Sequence, residues 1–321
     1  MKRLLALLSF VALSLSLAQF TPEGAECIAP ADPGGGWDFT CRIPAAQVMP
    51  ELGIVSNIQV TNMSGGGGGV ALSNVVTQRA DDDNLIVAAS VATATRLAQN
   101  AYAGFGADDI RWLGALGADF GVLAVAADSD IMNLDDLVTR MQDDPAGLTF
   151  VGGSAVGGFD HIKPLLVARE AGVEDLTALT YVSFDGGATA LIEIKAGRAD
   201  VFTGDTSEVL GDLDAGEVRI LAVFAPERVE RLGDAPTATE QGYEVIAPNW
   251  RGFYAAPNMS DEAYDFWVGA IEQVAASEEW AALSEENGIA PFESFGAEFE
   301  TFAKEQIELM ADISREIGII E

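Results

Sequence analysis

A chain of 321 residues, 49% of them hydrophobic, has enough apolar material for a large core and enough length for two domains. Its 50 acidic residues against 17 basic give a formal charge of −33, which argues against nucleic acid and anionic membrane surfaces as partners, because phosphate binding needs Lys and Arg. The acid is spread along the chain rather than gathered in a tail, so it reads as a solvated surface.

The first segment has the form of a secretory signal. Lys2 and Arg3 make a charged start, positions 4–17 an apolar run, and Ser16-Leu17-Ala18 a small-residue cleavage site before Gln19. The run is short for a membrane span, which needs about 20 residues. No cysteine follows it, so the expected mature protein is exported, soluble and not lipidated. In an oxidising compartment Cys27 and Cys41 are expected to pair, tying the first strand to the first helix. Two reduced, buried thiols are the alternative.

Strand-like and helix-like segments then alternate, which argues an α/β fold. Strands are expected at 25–29, 58–61, 85–89, 122–126, 148–151, 180–182, 201–203, 220–224 and 252–255. Between the first two, Pro33, Gly34, Gly35, Gly36, Trp37 and Asp38 form a turn leading into a helix. After the second, Asn62, Met63 and Ser64 precede five glycines, 65–69, and the apolar run Val70, Leu72, Val75, Val76. Leu134, Leu137, Val138 and Met141 give helical spacing behind a capping Asn133. A third glycine turn, 152–158, carries Gly153 and Ser154 and opens a helix with Ile162, Leu165 and Leu166 on one face. A weaker fourth, Phe184-Asp185-Gly186-Gly187, precedes a helix over 191–195. Ser260 caps a helix whose stripe is Phe266, Trp267, Ala270, Ile271 and Val274, and a last helix carries Phe299, Phe302, Leu309 and Ile313.

The recurring unit is strand, glycine-rich turn, helix. Glycines let a ligand approach the main chain, and the free N–H groups and positive dipole end of a helix start attract a carboxylate or phosphate. Neutral amides add no formal charge, so an acidic protein can still hold an acidic ligand. None of these turns has the Gly-Lys-[Ser/Thr] of a nucleotide-binding loop or a convincing dinucleotide fingerprint. A secreted hydrolase fits poorly, with one histidine (His161) and no Gly-x-Ser-x-Gly elbow. Nothing points to a cofactor, a metal or a catalytic residue. Among single polar groups, Arg42 is spaced to pair with Asp38 on a helix face, and His161 reads as a helix-start packing or capping residue, with a ligand contact as the alternative. Arg251 could reach an anion, and Asp205 and Thr206 stand at a strand end where an α/β cleft opens or a helix begins.

Taken together, these motifs resemble the extracytoplasmic solute receptors of tripartite tricarboxylate transporters, over nearly all of the mature chain. The marks are Pro33-Gly34-Gly35-Gly36-Trp37-Asp38; the Asn62–Gly69 turn; Gly153-Ser154; Gly186-Gly187-Ala188-Thr189-Ala190-Leu191 with Gly197-Arg198-Ala199-Asp200; Pro236-Thr237 with Glu240 and Gly242-Tyr243; and Trp250-Arg251-Gly252 with Ala255-Ala256-Pro257. The resemblance implies a type II periplasmic-binding-protein fold, a Venus flytrap of two domains that are each a sheet flanked by helices. We place these domains at 19–121 plus 249–321 and at 122–248. It implies a periplasmic, non-enzymatic, monomeric receptor that captures a di- or tricarboxylate such as a citrate-like acid and delivers it to integral-membrane permease subunits. A sensor subunit presenting its closed form to a signalling partner is the alternative. The ligand contacts implied are Gly34, Gly35, Gly36, Trp37, Asp38, Ser64, Gly66, Gly67, Gly153, Ser154, Phe184, Gly186 and Asp205. Asp38 matches the family aspartate, which accepts from a ligand donor or bridging water, and it can equally cap its own helix. Gly36-Trp37 departs from the smaller polar residues common there, so Trp37 is either a wall of the site or core packing.

Overall fold

A computed structural model describes residues 20–321, so the expected signal segment and cleavage site lie outside the described residues. The chain runs β1 (Glu26–Ala29), α1 (Gly36–Thr40), a π-wound continuation (Cys41–Val48), α2 (Met49–Glu51), β2 (Gln59–Asn62), α3 (Gly69–Gln78), β3 (Leu85–Ser90), α4 (Val91–Ala98) and β4 (Arg111–Ala126). It continues through α5 (Leu134–Asp143), β5 (Thr149–Gly152), α6 (Phe159–Glu170), β6 (Thr180–Ser183), α7 (Gly187–Lys195), β7 (Val201–Asp205), α8 (Thr206–Asp214) and β8 (Val218–Val223). It ends with β9 (Pro248–Ala255), α9 (Asp261–Ala275), α10 (Glu278–Glu286), β10 (Ser294–Phe295) and α11 (Gly296–Glu316).

The long strand β4 links two sheets. Its first part pairs with β9 and β10, and β9 continues the order to β3, β1 and β2. Its second part pairs with β7 and β8, and β7 continues to β5 and β6. Within each sheet the neighbours β1–β2, β1–β3, β5–β6 and β5–β7 are parallel. Helices follow the parallel strands, so their N-termini gather at the strands' carboxyl ends.

Each expected strand is present, and two features exceed the expectation. β4 begins at Arg111 rather than near 122; Gly114 and Gly117 interrupt its apolar pattern, and glycine ordinarily marks weak strand. Both are required by close packing: a Cβ on Gly117 would lie 2.5 Å from Ile289, and one on Gly114 would lie 2.9 Å from Phe295. The two-residue β10 carries no periodicity to read. The helical stripes also differ in detail. Leu309 is exposed and Met310 is buried in its place, and Val70 is exposed while Leu72 and Val75 are buried. The helix α6 is buried from Phe159 through Ala168 rather than on one face. Its Pro164 cannot donate to Asp160, and the freed Asp160 carbonyl accepts from Thr203 Oγ1 at 2.8 Å.

Asn133 and Ser260 cap α5 and α9, accepting from Asp136 N–H and Ala263 N–H. Cys27 and Cys41 are joined in a disulfide with Cα atoms 5.6 Å apart, in the usual range. One core packs Trp112, Trp250 and Phe299 edge to face. A second packs Cys27, Cys41, Trp267 and Trp280 on the other side of the first sheet, and a third lies in the second sheet around Phe202 and Val223.

Candidate functional site

The strand ends of the two sheets face each other across a cleft. Its walls come from the β1–α1 turn (Ala31, Gly35, Gly36, Trp37), the β3–α4 junction (Ser90, Ala92), the β5–α6 turn (Gly153, Ser154, Asp160), the β6–α7 turn (Gly186) and the β7–α8 junction (Asp205, Glu208), with Asn249 and Arg251 of β9 as the floor. Open α/β sheets bind ligands at this place, outside the carboxyl ends of their strands. The two sides are closed on one another around a residual cavity of about 40 Å³. Asp32 N–H donates to Asp185 carbonyl at 2.7 Å, and Gly36 N–H donates to Glu208 Oε1 at 3.2 Å.

Glycine is needed where these walls meet. A Cβ on Gly153 would lie 2.6 Å from Gly187 N, and one on Gly36 would overlap the Arg251 guanidinium. Trp37 forms a wall, its Nε1–H donating to Ser90 Oγ at 3.1 Å while Ser90 caps α4 by accepting from Ala92 N–H. Asn249 joins the two sides, accepting from Val91 N–H at 3.1 Å and donating to Asp205 at 2.5 Å. Ser154 Oγ accepts from Asp160 N–H at 2.9 Å, which starts α6.

Beneath the amides lies a buried charge cluster. Lys163 Nζ, fully buried, donates to Asp160 Oδ1 at 2.8 Å, to Asp205 Oδ1 at 2.6 Å and to Gly204 carbonyl at 2.6 Å. Gly121 leaves room for its stem, since a Cβ there would lie 2.8 Å from Lys163 Cδ. Arg251 Nη2 donates to Asp119 Oδ2 at 2.7 Å and to Asp205 Oδ2 at 3.0 Å. Burial holds the Asp119 and Asp160 carboxyls above the ordinary range. Burial opposes the charge of Asp205 too, but Lys163, Arg251 and Asn249 keep its pKa below that range. Among the described residues Glu208 has only backbone partners, Gly36 N–H and Asp205 N–H at 3.1 Å. Burial, and then the charges of Asp205 and Asp160, push it up to about 8.

Of the residues singled out in the sequence, Gly35, Gly36, Trp37, Gly153, Ser154, Gly186 and Asp205 come together on the cleft wall. Gly34, Asp38, Ser64, Gly66, Gly67 and Phe184 stand off it. Asp38 is buried behind the turn and accepts from Gly34 N–H at 2.9 Å, Arg42 Nε at 2.8 Å and Asn62 Nδ2 at 2.8 Å. Burial opposes its charge, yet these donors, Arg42 foremost, hold its pKa low. Asp38 thus fixes the turn whose Gly35, Gly36 and Trp37 line the cleft. The glycine loop 65–69 backs Trp37 and meets the opposite side, where a Cβ on Gly67 would stand 3.2 Å from Ala155. Gly66 is exposed there, Ser64 is half-buried, and Phe184 packs on the third core. His161 is buried away from the cleft, its Nδ1 accepting from Gly157 N–H at 3.0 Å and its ring stacked on Tyr181; burial pushes it down to about 4. The charged floor was the part sequence reasoning missed, apart from Arg251 and Asp205. One signal existed: Asp205-Thr206-Ser207-Glu208 has capping-box spacing directly after a strand.

Comparison with known proteins places this architecture. Residues 43–319 match a family model described as a tripartite tricarboxylate transporter family receptor. A UPF0065 protein of Bordetella pertussis is 22% identical over 301 residues, 94% of this chain and 91% of that protein. The structure of the periplasmic binding protein BugD superposes with a TM-score of 0.81 at 20% identity, covering 92% of this chain and 97% of that one. MatC from Rhodopseudomonas palustris, solved with bound malate, gives 0.79 at 19% identity over 90% and 98%. The fold is therefore that of periplasmic binding proteins. Among the described residues no helix is long and apolar enough to cross a membrane.

Proposed function

This chain belongs to the tripartite tricarboxylate transporter receptor family, and from that premise we propose that it is an extracytoplasmic receptor which closes on a small carboxylate and hands it to the membrane permease of such a transporter. The observation that carries the reading is the convergence of five strand-end turns, from both sheets, on one cleft lined by glycines, Trp37 and Arg251. Malate in MatC lends the ligand chemistry support from a protein of the same fold. The lobes in this reading are 19–121 plus 249–321 and 122–248, since β4 changes partners from β9 to β7 and β8 near Gly121. Opening is a hinge motion about that crossing. The segment before Gln19 serves as the export signal, and the site of action is the periplasm.

The test is a thermal-shift screen of the mature chain against a library of small carboxylic acids. A true ligand at 100 times its Kd adds about 2.7 kcal/mol of stability. Trp37→Ala and Gly36→Val are expected to abolish that shift while each variant keeps its own cooperative unfolding. A library in which no acid stabilises the wild-type chain rejects the reading.

A further inference from the structure

Two ionisable side chains in the cleft, one an acid and one a base, are left with bonding capacity that the protein does not use. Asp160 and Asp205 each pair with Lys163, Asp205 pairs again with Arg251, and Asp119 pairs with Arg251. Glu208 makes no ion pair among the described residues, and its oxygens meet only the N–H groups of Gly36 and Asp205. Arg251, 2% exposed, forms its ion pairs through Nη2; its Nε is buried without a partner, and its Nη1 points at Gly36 on the cleft wall. Both groups sit on fixed elements, Glu208 in the first turn of α8 and Arg251 in the middle of β9.

The cluster sets four carboxyls, Asp119, Asp160, Asp205 and Glu208, against two bases, Lys163 and Arg251, so a ligand that brings a positive charge to Glu208 lets that carboxyl ionise at lower cost, and one that brings an acceptor to Arg251 uses its remaining N–H groups. A polyanion serves Arg251 but meets Glu208, Asp160 and Asp205 on the same wall, which is repulsion built against it. A molecule with both signs serves both groups. We infer that the ligand carries an ammonium group as well as a carboxylate, as an amino acid does, with the ammonium against Glu208 and the carboxylate against Arg251 and the Gly36 turn. This inference rests on the carboxylate-receptor reading and narrows it. The competing account makes Glu208 an internal stand-in for a ligand carboxylate, displaced from Gly36 N–H when an acid binds; it gives the opposite mutant effect.

Calorimetric titration of the mature chain with matched acids separates them: aspartate and succinate, glutamate and glutarate, alanine and propionate, phenylalanine and 3-phenylpropionate. The expected result is at least one pair whose amino member binds tenfold or more tightly than its partner, with Glu208→Gln reducing that ratio about tenfold while thermal unfolding shows the variant folded. Equal or tighter binding of the amino-free member in every pair that binds overturns the inference and leaves the carboxylate receptor standing. So does a ratio unchanged in Glu208→Gln, or amino-free acids that bind the variant better than the wild type. Binding of none of the eight acids counts against both readings.

Discussion

Glu208 keeps its proton at pH values where an ordinary glutamate has lost it, because it is removed from water and faces Asp205 and Asp160. In the folded chain it is pushed up to about 8, above the ordinary glutamate value of 4.5, so between those values the folded chain binds more protons than the unfolded one. The stability it contributes is therefore complete below about pH 4.5 and is lost as pH rises through 8, with a slope of at most about 1.4 kcal/mol per pH unit. His161 acts in the opposite sense at lower pH. Its pKa of about 4 makes the unfolded chain the better proton binder up to about 6.5, and stability from that group rises with pH over the interval. Urea midpoints of wild type and Glu208→Gln, compared from pH 5 to 9, isolate the glutamate: the wild type is expected to lose stability relative to the variant across this range, and parallel curves would refute the assignment. The contrast with Asp38 shows what was legible at this scale. A glycine turn announces free amides because glycine has a definite conformational meaning, and Gly35, Gly36, Gly153 and Gly186 do reach the cleft. A carboxylate has no such fixed meaning in a chain with 50 acidic residues. Asp38 and Glu208 look alike in sequence, yet one braces a turn behind the wall and the other lines the cleft, and only tertiary neighbours separate them.

The elements were readable wherever hydrophobic period and caps agreed, as at α5 behind Asn133 and α9 behind Ser260. They were not readable where packing overrides propensity. The first half of β4 is strand although Gly114 and Gly117 interrupt it, because α10 and the segments around Ile289 and Phe295 press directly on its backbone. Gly117→Val is expected to cost about 1–3 kcal/mol through overpacking against Ile289 and Trp280, whereas Gly53→Val, at a position where a Cβ meets nothing, pays only for its positive φ of 70°. Chemical denaturation of the two variants gives the comparison, and equal losses would show that the close approach is not decisive. The disulfide lies in the same core, on the same side of the sheet. It joins β1 to the start of the π-wound turn over a sequence separation of 14, and a closed loop of that size contributes about 3 kcal/mol, chiefly by restricting the unfolded chain. Cys27→Ser with Cys41→Ser is expected to lower the unfolding free energy by about that amount, read as a lower urea midpoint; an unchanged midpoint would mean that the buried packing of β1 alone sets the stability of this region.

Across the whole molecule, closure depends on contacts made away from the ligand space. On the far side of the glycine loop, Arg96 of α4 donates to the Val156 carbonyl at 3.0 Å and Gln99 donates to the Gly157 carbonyl at 2.5 Å. Arg96 also holds Gln99 Oε1 at 2.9 Å, so the two act together, and Asp32 N–H reaches Asp185 at the other rim. In the proposed hinge motion these bonds form only when the sides meet, so they favour the closed state from outside the cleft. A neutral hydrogen bond contributes about 0.5–1.5 kcal/mol and one from a charged donor about 1.5–3; removing both from the closed state alone shifts its population, and apparent affinity falls by the fraction of competent protein lost. Arg96→Ala with Gln99→Ala is therefore expected to weaken the tightest ligand of the wild type roughly 10- to 100-fold, mainly through faster dissociation, and to enlarge the radius of gyration of the ligand-free protein in solution scattering. The same variant leaves the Glu208 and Arg251 surroundings intact, so the ranking of ligands against one another stays as it is in the wild type. A changed ranking would place Arg96 or Gln99 in recognition itself, and an unchanged affinity and radius would mean that the floor network of Asp119, Asp205, Asn249 and Arg251, which already ties β4 and β9 to β7, suffices to hold the two sides together.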